Sequence, residues 1–280
     1  MDKIMIFGAG QGGRMISNWI SSDYHLLGFI DNNSLLWDTK INNLKVYSLQ
    51  EAVKIIPDII LVTVLNRDCA LEIKKQLKEE GYEGKVFNIN EFRDYIDIRL
   101  STLRLIAQEI NEKSLDGQVA ELGVYKGKFA AEMNRLFPNK EIYLFDTFEG
   151  FCKEDVEIEE ACGYSRAKEG DFSDTSIDLV KSKLPYKDKA LFFKGYFPDS
   201  IEEALPSFCF VSIDTDLYKP TYVGLSEFYP KLVKGGVIII HDYNSTQFSG
   251  VKRAVKRFCK ENDVYLLPIC DMHGSAVIIK

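Results

Sequence analysis

Two glycine-rich turns constrain the fold of this 280-residue chain more than any other feature. The first comes directly after the apolar run 3–8, and the second comes directly after the apolar run 118–122. Helix-like apolar spacing follows each turn. Glycine lets the backbone pass sharply from a strand into a helix, a geometry typical of open, mostly parallel α/β sheets. The chain is longer than the common domain size of about 100–200 residues, so the sequence predicts two α/β units.

The order of apolar runs gives the extent of each unit. Residues 1–95 alternate strand and helix patterns, with about four strands and a first helix over 11–21, and they predict a Rossmann-like nucleotide-binding or nucleotide-sugar-binding domain. Residues 96–117 read as a helical linker. Residues 118–280 form a longer β-α series that ends in the runs 264–269 and 275–279. The short connection between these two runs predicts an antiparallel hairpin at the end of a second, mostly parallel Rossmann-like sheet.

The charge and the hydropathy of the chain limit the classes of partner that it can bind. The net charge is −7, and the Lys and Arg residues are dispersed among acids, which argues against nucleic acid as a partner. The apolar run at the start breaks at Gly8 and is too short for a signal peptide or a membrane span, which favours a cytoplasmic protein. The composition allows a homo-oligomer.

The first turn matches the pattern G-x-G-x-x-G, with Asp31 at the end of the next strand, where a ribose hydroxyl would lie. Helix-end N–H groups there could approach a pyrophosphate, although a tight turn that binds nothing is the alternative. The predicted nucleotide-binding residues are Gly8, Gly10, Gln11, Gly12, Gly13 and Asp31. With residues 28–32, the segment resembles the small amino-terminal domains of bacterial sugar acyltransferases that hold a nucleotide-linked sugar. The segment lacks the second half of a dinucleotide-binding fold, so a nicotinamide-dependent oxidoreductase is a weaker hypothesis for this protein.

The second turn has the form E-x-G-x-x-x-G, carried by Glu121, Gly123 and Gly127. This spacing suits S-adenosylmethionine, which has no pyrophosphate but needs backbone room beside its methionine part and a carboxylate near its cationic end. Asp146 ends the following strand, where it could accept both ribose hydroxyls or serve as a turn acid. Thr147 follows it, and Phe148 could cover the adenine or pack in the core.

Residues 100–280 resemble the macrocin O-methyltransferase family, enzymes that methylate sugar hydroxyls on natural products. The resemblance is carried by the blocks 121–127, 145–150, 171–176, 193–200 and 213–218. It implies a class I methyltransferase fold and S-adenosylmethionine as cofactor, with Asp171 and Ser173 reaching the adenine. It also implies that Asp214, placed in the cofactor site, is a metal ligand and that Asp216 is a candidate base. Relatives have two consecutive aspartates where this chain has His241 and Asp242.

Asp214, Asp216 and Asp242 also follow two apolar strands, and ligands of open α/β sheets collect at the carboxyl ends of strands. Three converging carboxylates would repel one another, so the pattern predicts a divalent cation held by Asp214 and Asp242, with His241 either joining as a third ligand or orienting the acceptor. Oxygen ligands favour Mg²⁺, and the imidazole widens the choice toward Mn²⁺. Water-exposed turn residues at the strand ends are the alternative.

Together these features predict a cation-assisted O-methyltransferase that uses S-adenosylmethionine and acts on a sugar or nucleotide-sugar hydroxyl. Asp216 and His241 are the candidate catalytic residues, with Asp216 taking the hydroxyl proton. A phenolic or other small-molecule hydroxyl is an alternative acceptor. A non-catalytic nucleotide-sugar binder is the alternative from a different class.

Overall fold

The computed structural model describes residues 1–93, 95–201 and 204–280. The chain divides into two compact units. The first comprises Met1–Ile98 together with Cys270–His273, and the second comprises Arg99–Ile269 together with Gly274–Lys280.

The first unit is a six-stranded sheet with the order β3-β4-β2-β1-β5-β6. All neighbouring strands pair in parallel except β3 and β4, which pair antiparallel. The strands are β1 (Lys3–Phe7), β2 (His25–Ile30), β3 (Lys40–Ile41), β4 (Leu44–Tyr47), β5 (Ile59–Val62) and β6 (Lys85–Asn88). The helices are α1 (Gln11–Ile16), α2 (Leu49–Ile55), α3 (Arg67–Glu79) and α4 (Asn90–Arg93), with a 3₁₀ turn at Ser34–Leu36.

Two expectations for this unit were wrong in detail. The sheet has six strands rather than about four, because the short strands β3 and β4 are too polar to produce an apolar run. The first helix was expected over 11–21 but ends at Ile16. Just beyond it, the Ser17 hydroxyl and the Asn18 amide both donate to the carbonyl of Arg14, at 2.8 and 3.0 Å. Such side chains compete with the backbone for helix carbonyls, which explains the early end.

The second unit is a seven-stranded sheet with the order β12-β13-β11-β10-β7-β8-β9. Its strands are β7 (Gln118–Leu122), β8 (Ile142–Asp146), β9 (Ala190–Lys194), β10 (Phe208–Ile213), β11 (Leu232–Ile240), β12 (Leu266–Pro268) and β13 (Ala276–Ile279). Its helices are α5 (Ile98–Glu112), α6 (Lys128–Leu136), α7 (Lys153–Cys162), α8 (Ile177–Lys183), α9 (Tyr218–Lys231) and α10 (Ser249–Asn262), with a 3₁₀ turn at Lys187–Lys189.

Among the described strands of this sheet, β13 runs antiparallel to the others. It pairs antiparallel with both β11 and β12, while β7 to β11 pair in parallel. The predicted fold class, two α/β units of which the second has a mostly parallel sheet ending in an antiparallel hairpin, is therefore confirmed. All six residues of the central strand β10 are buried, as expected when helices cover both faces of a parallel sheet.

The segment 96–117, expected as a linker, forms α5. Leu103, Ala107 and Ile110 of this helix are buried in one core cluster of the second unit, together with Val119 of β7. Their spacing places them on one helix face. The helix therefore packs as part of the second unit. Within the described residues, no helix combines the length and the apolar composition that crossing a membrane requires.

Candidate active site

The turn after β7, called the cofactor loop here (residues 121–127), approaches the end of β10 closely. Gly123 has a φ of +84°, and a Cβ atom at this position would lie 2.0 Å from the carbonyl oxygen of Asp214. Gly127 has a φ of +72° at the start of α6, where a Cβ would lie 2.7 Å from a methyl group of Val180. Glycine is required at Gly123 by the backbone of Asp214 and is favoured at Gly127 by its left-handed backbone and the side chain of Val180.

Asp146 holds the cofactor loop in place. Its Oδ2 accepts hydrogen bonds from the N–H groups of Val124 and Tyr125, both at 2.8 Å, and its Oδ1 accepts from the N–H of Phe148 at 2.7 Å. Hydrogen bonds to an ionised acceptor are stronger than neutral ones, so this carboxylate ties the ends of β7 and β8 together. The structure thus shows Asp146 as a turn acid, and its contact with a ribose stays a prediction.

The residues that follow Asp146 shape the same turn. The Thr147 hydroxyl donates to the carbonyl of Gly150 at 2.8 Å. Phe148 is buried, and its ring lies 6.4 Å from that of Phe192. The contacts of Phe148 are those of core packing, the alternative that the sequence left open.

Glu121, the acid of the cofactor loop, is almost fully buried, with 1% of its surface exposed. Among the described residues, its Oε2 has no hydrogen-bond partner. Burial raises the pKa of this carboxyl well above its usual range, and the positive charge of Arg99 opposes that rise. A buried polar atom without a partner costs about 1–3 kcal/mol. The cationic methionine end of S-adenosylmethionine would supply a partner, so the residues present fit this cofactor.

Asp214, Asp216 and Asp242 form a carboxylate cluster beside this loop. One oxygen from each lies within 4.8 Å of the others. Asp216 and Asp242 have left-handed backbone, with φ values of 60° and 54°, a strained conformation that concentrates at functional sites. Burial, and then the neighbouring charges of Asp214 and Asp242, raises the pKa of Asp216 well above its usual range. The cluster can therefore accept a proton or hold a cation.

His241 lies between two of these carboxylates. Its Nδ1 is 2.6 Å from Oδ2 of Asp242 and 3.0 Å from Oδ1 of Asp214. Burial alone would lower the pKa of this imidazole, but the two carboxylates raise it to about 10 against the opposing charge of Arg99. The sequence-predicted residues Asp214, Asp216, His241 and Asp242 are thus brought together at the carboxyl ends of β10 and β11.

Arg99 is a site residue that sequence reasoning missed. Its Nη1 donates to Oδ2 of Asp214 at 2.9 Å, and its Nη2 donates to Oγ of Ser212 at 3.3 Å. Its guanidinium carbon lies 4.0 Å from the ring centre of Phe129. The available signal was its spacing: Arg99 shares the apolar face of α5 with Leu103, where a charged residue is unusual. Burial would raise the pKa of Asp214, but His241 and Arg99 lower it to about 2.

Asp171 and Ser173, predicted to reach the adenine, are exposed residues of a loop beside the cofactor loop. Asp171 accepts a hydrogen bond from the N–H of Lys168 at 2.9 Å. The ring of Phe172, between them, lies 5.2 Å from that of Tyr125 in an edge-to-face contact. The structure therefore places this segment next to the predicted cofactor site.

In the first unit, Asp31 repeats the arrangement of Asp146. Its Oδ2 accepts from the N–H of Ala9 at 2.8 Å, which links the ends of β1 and β2. Close packing accounts for the other glycines of the turn, since a Cβ would lie 2.4 Å from Thr63 O at Gly12 and 1.8 Å from Gly8 O at Gly13. At Gly10 a Cβ would meet open space, and Gln11 begins α1. Nucleotide binding by this turn stays a prediction.

The sheet order, the single antiparallel strand and the glycine turn after β7 define a class I methyltransferase fold. Residues 95–280 match the macrocin-O-methyltransferase (TylF) family model, and the chain belongs to this family. The resemblance of this region is thereby confirmed. Residues 1–87 match a different model, described as C2185-like, N-terminal. The likeness of the first unit to sugar acyltransferase domains stays a prediction.

Two curated relatives match about half of this chain. Demethyldecarbamoylnovobiocin O-methyltransferase of Streptomyces niveus is 23% identical over 158 residues, which cover 52% of this chain and 60% of that protein. Mycinamicin III 3''-O-methyltransferase of Micromonospora griseorubida is 26% identical over 158 residues, which cover 52% of this chain and 62% of that protein. The chain thus spans about three-fifths of the length of these relatives.

Solved structures confirm the fold. The O-methyltransferase NovP superposes with a TM-score of 0.55 at 20% identity, covering 65% of this chain and 79% of that chain. The calicheamicin methyltransferase CalS11 superposes with a TM-score of 0.50 at 16% identity, covering 77% of this chain and 94% of that chain. At these identities the likeness concerns the fold alone.

Proposed function

We propose that this protein is an S-adenosylmethionine-dependent O-methyltransferase that methylates a hydroxyl of a sugar. The observation that carries the proposal is the close approach of Gly123 to the carbonyl of Asp214. It brings the loop that would hold the methionine part of the cofactor against the carboxylate cluster that would receive the acceptor. Family membership and the printed activities of both relatives, which are O-methyltransferases, support the reaction class.

The reaction is an in-line displacement. An electron pair of the acceptor hydroxyl oxygen forms a bond to the methyl carbon, and the bond between that carbon and the sulfonium breaks with its electron pair going to sulfur. The products are the methyl ether and S-adenosylhomocysteine, and the hydroxyl proton passes to the Asp216 carboxylate. Its raised pKa makes Asp216 a stronger base than an ordinary aspartate. Proximity and alignment supply much of the remaining acceleration.

Cation assistance is part of the proposal. Asp214, Asp242 and His241 would hold the ion, and their donor set of carboxylate oxygens and one imidazole fits Mg²⁺ or Mn²⁺. When bound, such an ion lowers the pKa of a coordinated hydroxyl. The residues themselves orient the acceptor and keep the base next to it.

The test replaces Asp216 by Asn, with Asp263→Asn as the matched control. Asp263 also has left-handed backbone, with a φ of 51°, but it ends α10. We expect Asp216→Asn to lower kcat by about 10²–10⁴-fold, the usual contribution of a positioned base, while S-adenosylhomocysteine affinity is retained. The measurement is methyl transfer from labelled S-adenosylmethionine to a panel of sugars and nucleotide sugars. A protein that binds no S-adenosylhomocysteine, or an Asp216→Asn variant with full activity, would contradict the proposal.

A further inference from the structure

The second unit contains a cavity of about 200 Å³ near the cofactor loop. It is lined by Arg166, Ala167, Asp171, Phe172, Gln247 and Phe248. None of these residues belongs to the carboxylate cluster, and sequence reasoning assigned a role only to Asp171.

Ring contacts connect the cavity to the cofactor loop. Tyr125 of that loop contacts the edge of Phe172 with ring centres 5.2 Å apart. Phe151 bridges Phe172 and Phe248, with ring centres at 5.2 and 6.5 Å. Phe248 lies in the loop that begins with His241. The cavity therefore lies between the loop 163–176, which carries Asp171 and Ser173, and the loop 241–248, which begins with His241.

The wall that carries Arg166 is fixed to the start of α10. The N–H and the hydroxyl of Ser249 both donate to the carbonyl of Tyr164, at 3.0 and 2.8 Å. Arg166 itself is exposed at the rim, and the described residues offer it no hydrogen bond or ion pair. A guanidinium without a protein partner, beside a cavity, is available to a ligand.

The lining has the chemistry of a sugar site with an anion at its rim. Phe172, which is 39% exposed, and the largely buried Phe248 give the cavity apolar walls for the C–H face of a pyranose, and Gln247 offers an amide group to its hydroxyls. Guanidinium groups bind phosphate through paired N–H donors. The cavity is smaller than the about 300–1,000 Å³ of sites for drug-sized ligands, so its size suits a single sugar ring whose substituent would extend outside it, toward Arg166.

From this geometry we propose that the cavity is the acceptor subsite and that the acceptor is a sugar bearing a phosphate or diphosphate, which Arg166 binds. The inference rests on the proposed function and specifies its substrate class. The phosphate can belong to a sugar 1-phosphate or to a nucleoside diphosphate sugar, and the two share the chemistry that Arg166 recognises.

The experiment is calorimetry on the full-length protein saturated with S-adenosylhomocysteine. The probes are a panel of hexose 1-phosphates, the nucleoside diphosphate derivatives of the same hexoses, the corresponding uronic acids, and the neutral methyl glycosides. Hexose 1-phosphates carry no nucleoside, so they separate this cavity from the nucleotide site predicted at Gly10. We expect phosphorylated members to bind at least about tenfold more tightly than the matching methyl glycoside, the effect of one charged hydrogen-bonding partner.

The variant Arg166→Gln should abolish that preference and leave the affinity for S-adenosylhomocysteine unchanged. Lys168→Gln is the matched control, because Lys168 is an exposed cation of the same loop that does not line the cavity. The inference would be overturned by any of three results: equal affinity for phosphorylated and neutral sugars, no binding of any phosphorylated sugar, or a higher affinity for the uronic acids than for the phosphorylated sugars. Loss of S-adenosylhomocysteine affinity in Arg166→Gln would also overturn it and would assign the cavity to the cofactor. Methyl transfer to a neutral acceptor would refute this inference and leave the proposed function standing.

Discussion

The ion pair between Arg99 and Asp214 makes the most direct prediction about how the site is held together. Replacing Arg99 by Met keeps much of the apolar stem and removes the donors to Asp214 and Ser212. The side chain of Arg99 is 14% exposed and that of Asp214 is 23% exposed, so the lost pair is largely desolvated.

The magnitude follows from the burial of the pair and its remaining partners. Removing one member of a buried ion pair costs about 3–5 kcal/mol, because the other charge is left unpaired. Asp214 keeps His241 at 3.0 Å and part of its exposure to water, which reduces this cost. The contact with Phe129 adds about 0.5–2 kcal/mol. We expect Arg99→Met to lower the free energy of unfolding by about 2–3 kcal/mol.

Urea unfolding in the presence of a chelator is the assay, and Arg104→Met on the same helix is the control. Arg104 pairs with Glu132 at 2.8 Å, but its side chain is 53% exposed, and Glu132 keeps Arg135 as a second partner. An exposed pair of this kind contributes about 0–1 kcal/mol. Equal destabilisation by the two variants, or a loss below about 0.5 kcal/mol in Arg99→Met, would refute the reasoning about burial.

The same pair has a pH signature. His241 and Arg99 lower the pKa of Asp214 from 3.8 to about 2. A carboxyl whose folded pKa is depressed contributes stability that is fully present above the unfolded pKa and is lost as the pH falls through the folded one. This contribution should therefore disappear between about pH 4 and pH 2, and Arg99→Met should reduce the loss over that window.

The cofactor loop, the carboxylate cluster and the first unit each make one further prediction. Glu121→Ala and Asp146→Ala should each weaken S-adenosylmethionine binding by about 1–3 kcal/mol, the cost of losing a charged partner, and unchanged calorimetric affinity in both would sink the cofactor assignment. The rate of methyl transfer should fall when a chelator is added and should return with Mg²⁺ or Mn²⁺. Mn²⁺ should restore about as much activity as Mg²⁺, because imidazole is the softer donor. Full activity in the presence of chelator would leave Asp216 as a general base that acts without a metal. Full-length protein should bind a nucleotide or nucleotide sugar in calorimetry, and Gly10→Val should block this binding because the valine side chain would fill the open space at the turn. If no nucleoside diphosphate, nucleotide sugar or dinucleotide gives a heat of binding, the first turn has no such ligand.

The local sequence was enough to predict where most strands of the second unit end. The apolar runs that became β7, β8, β10 and β11 stop at residues that also carry the candidate chemistry. Glu121, Asp146 and Asp214 could be found because a strand followed by a turn puts its last polar side chains at the edge of the sheet, a relation between neighbours in the chain. The hairpin at the end of the sheet could likewise be predicted from the short connection between two apolar runs.

Tertiary structure decided what those residues touch. Arg99 and Asp214 are 115 positions apart, and no spacing rule joins them. The burial of Phe148 against Phe192 depends on how β9 pairs beside β8. Side-chain patterns encode which face of an element is apolar, whereas pairing between distant elements depends on the packing of the whole core. The sequence by itself therefore determined most strands of the second unit and the kinds of groups at the site. Their partners, their burial and the cavity at Arg166 arose only when the strands assembled in the order of the folded sheet.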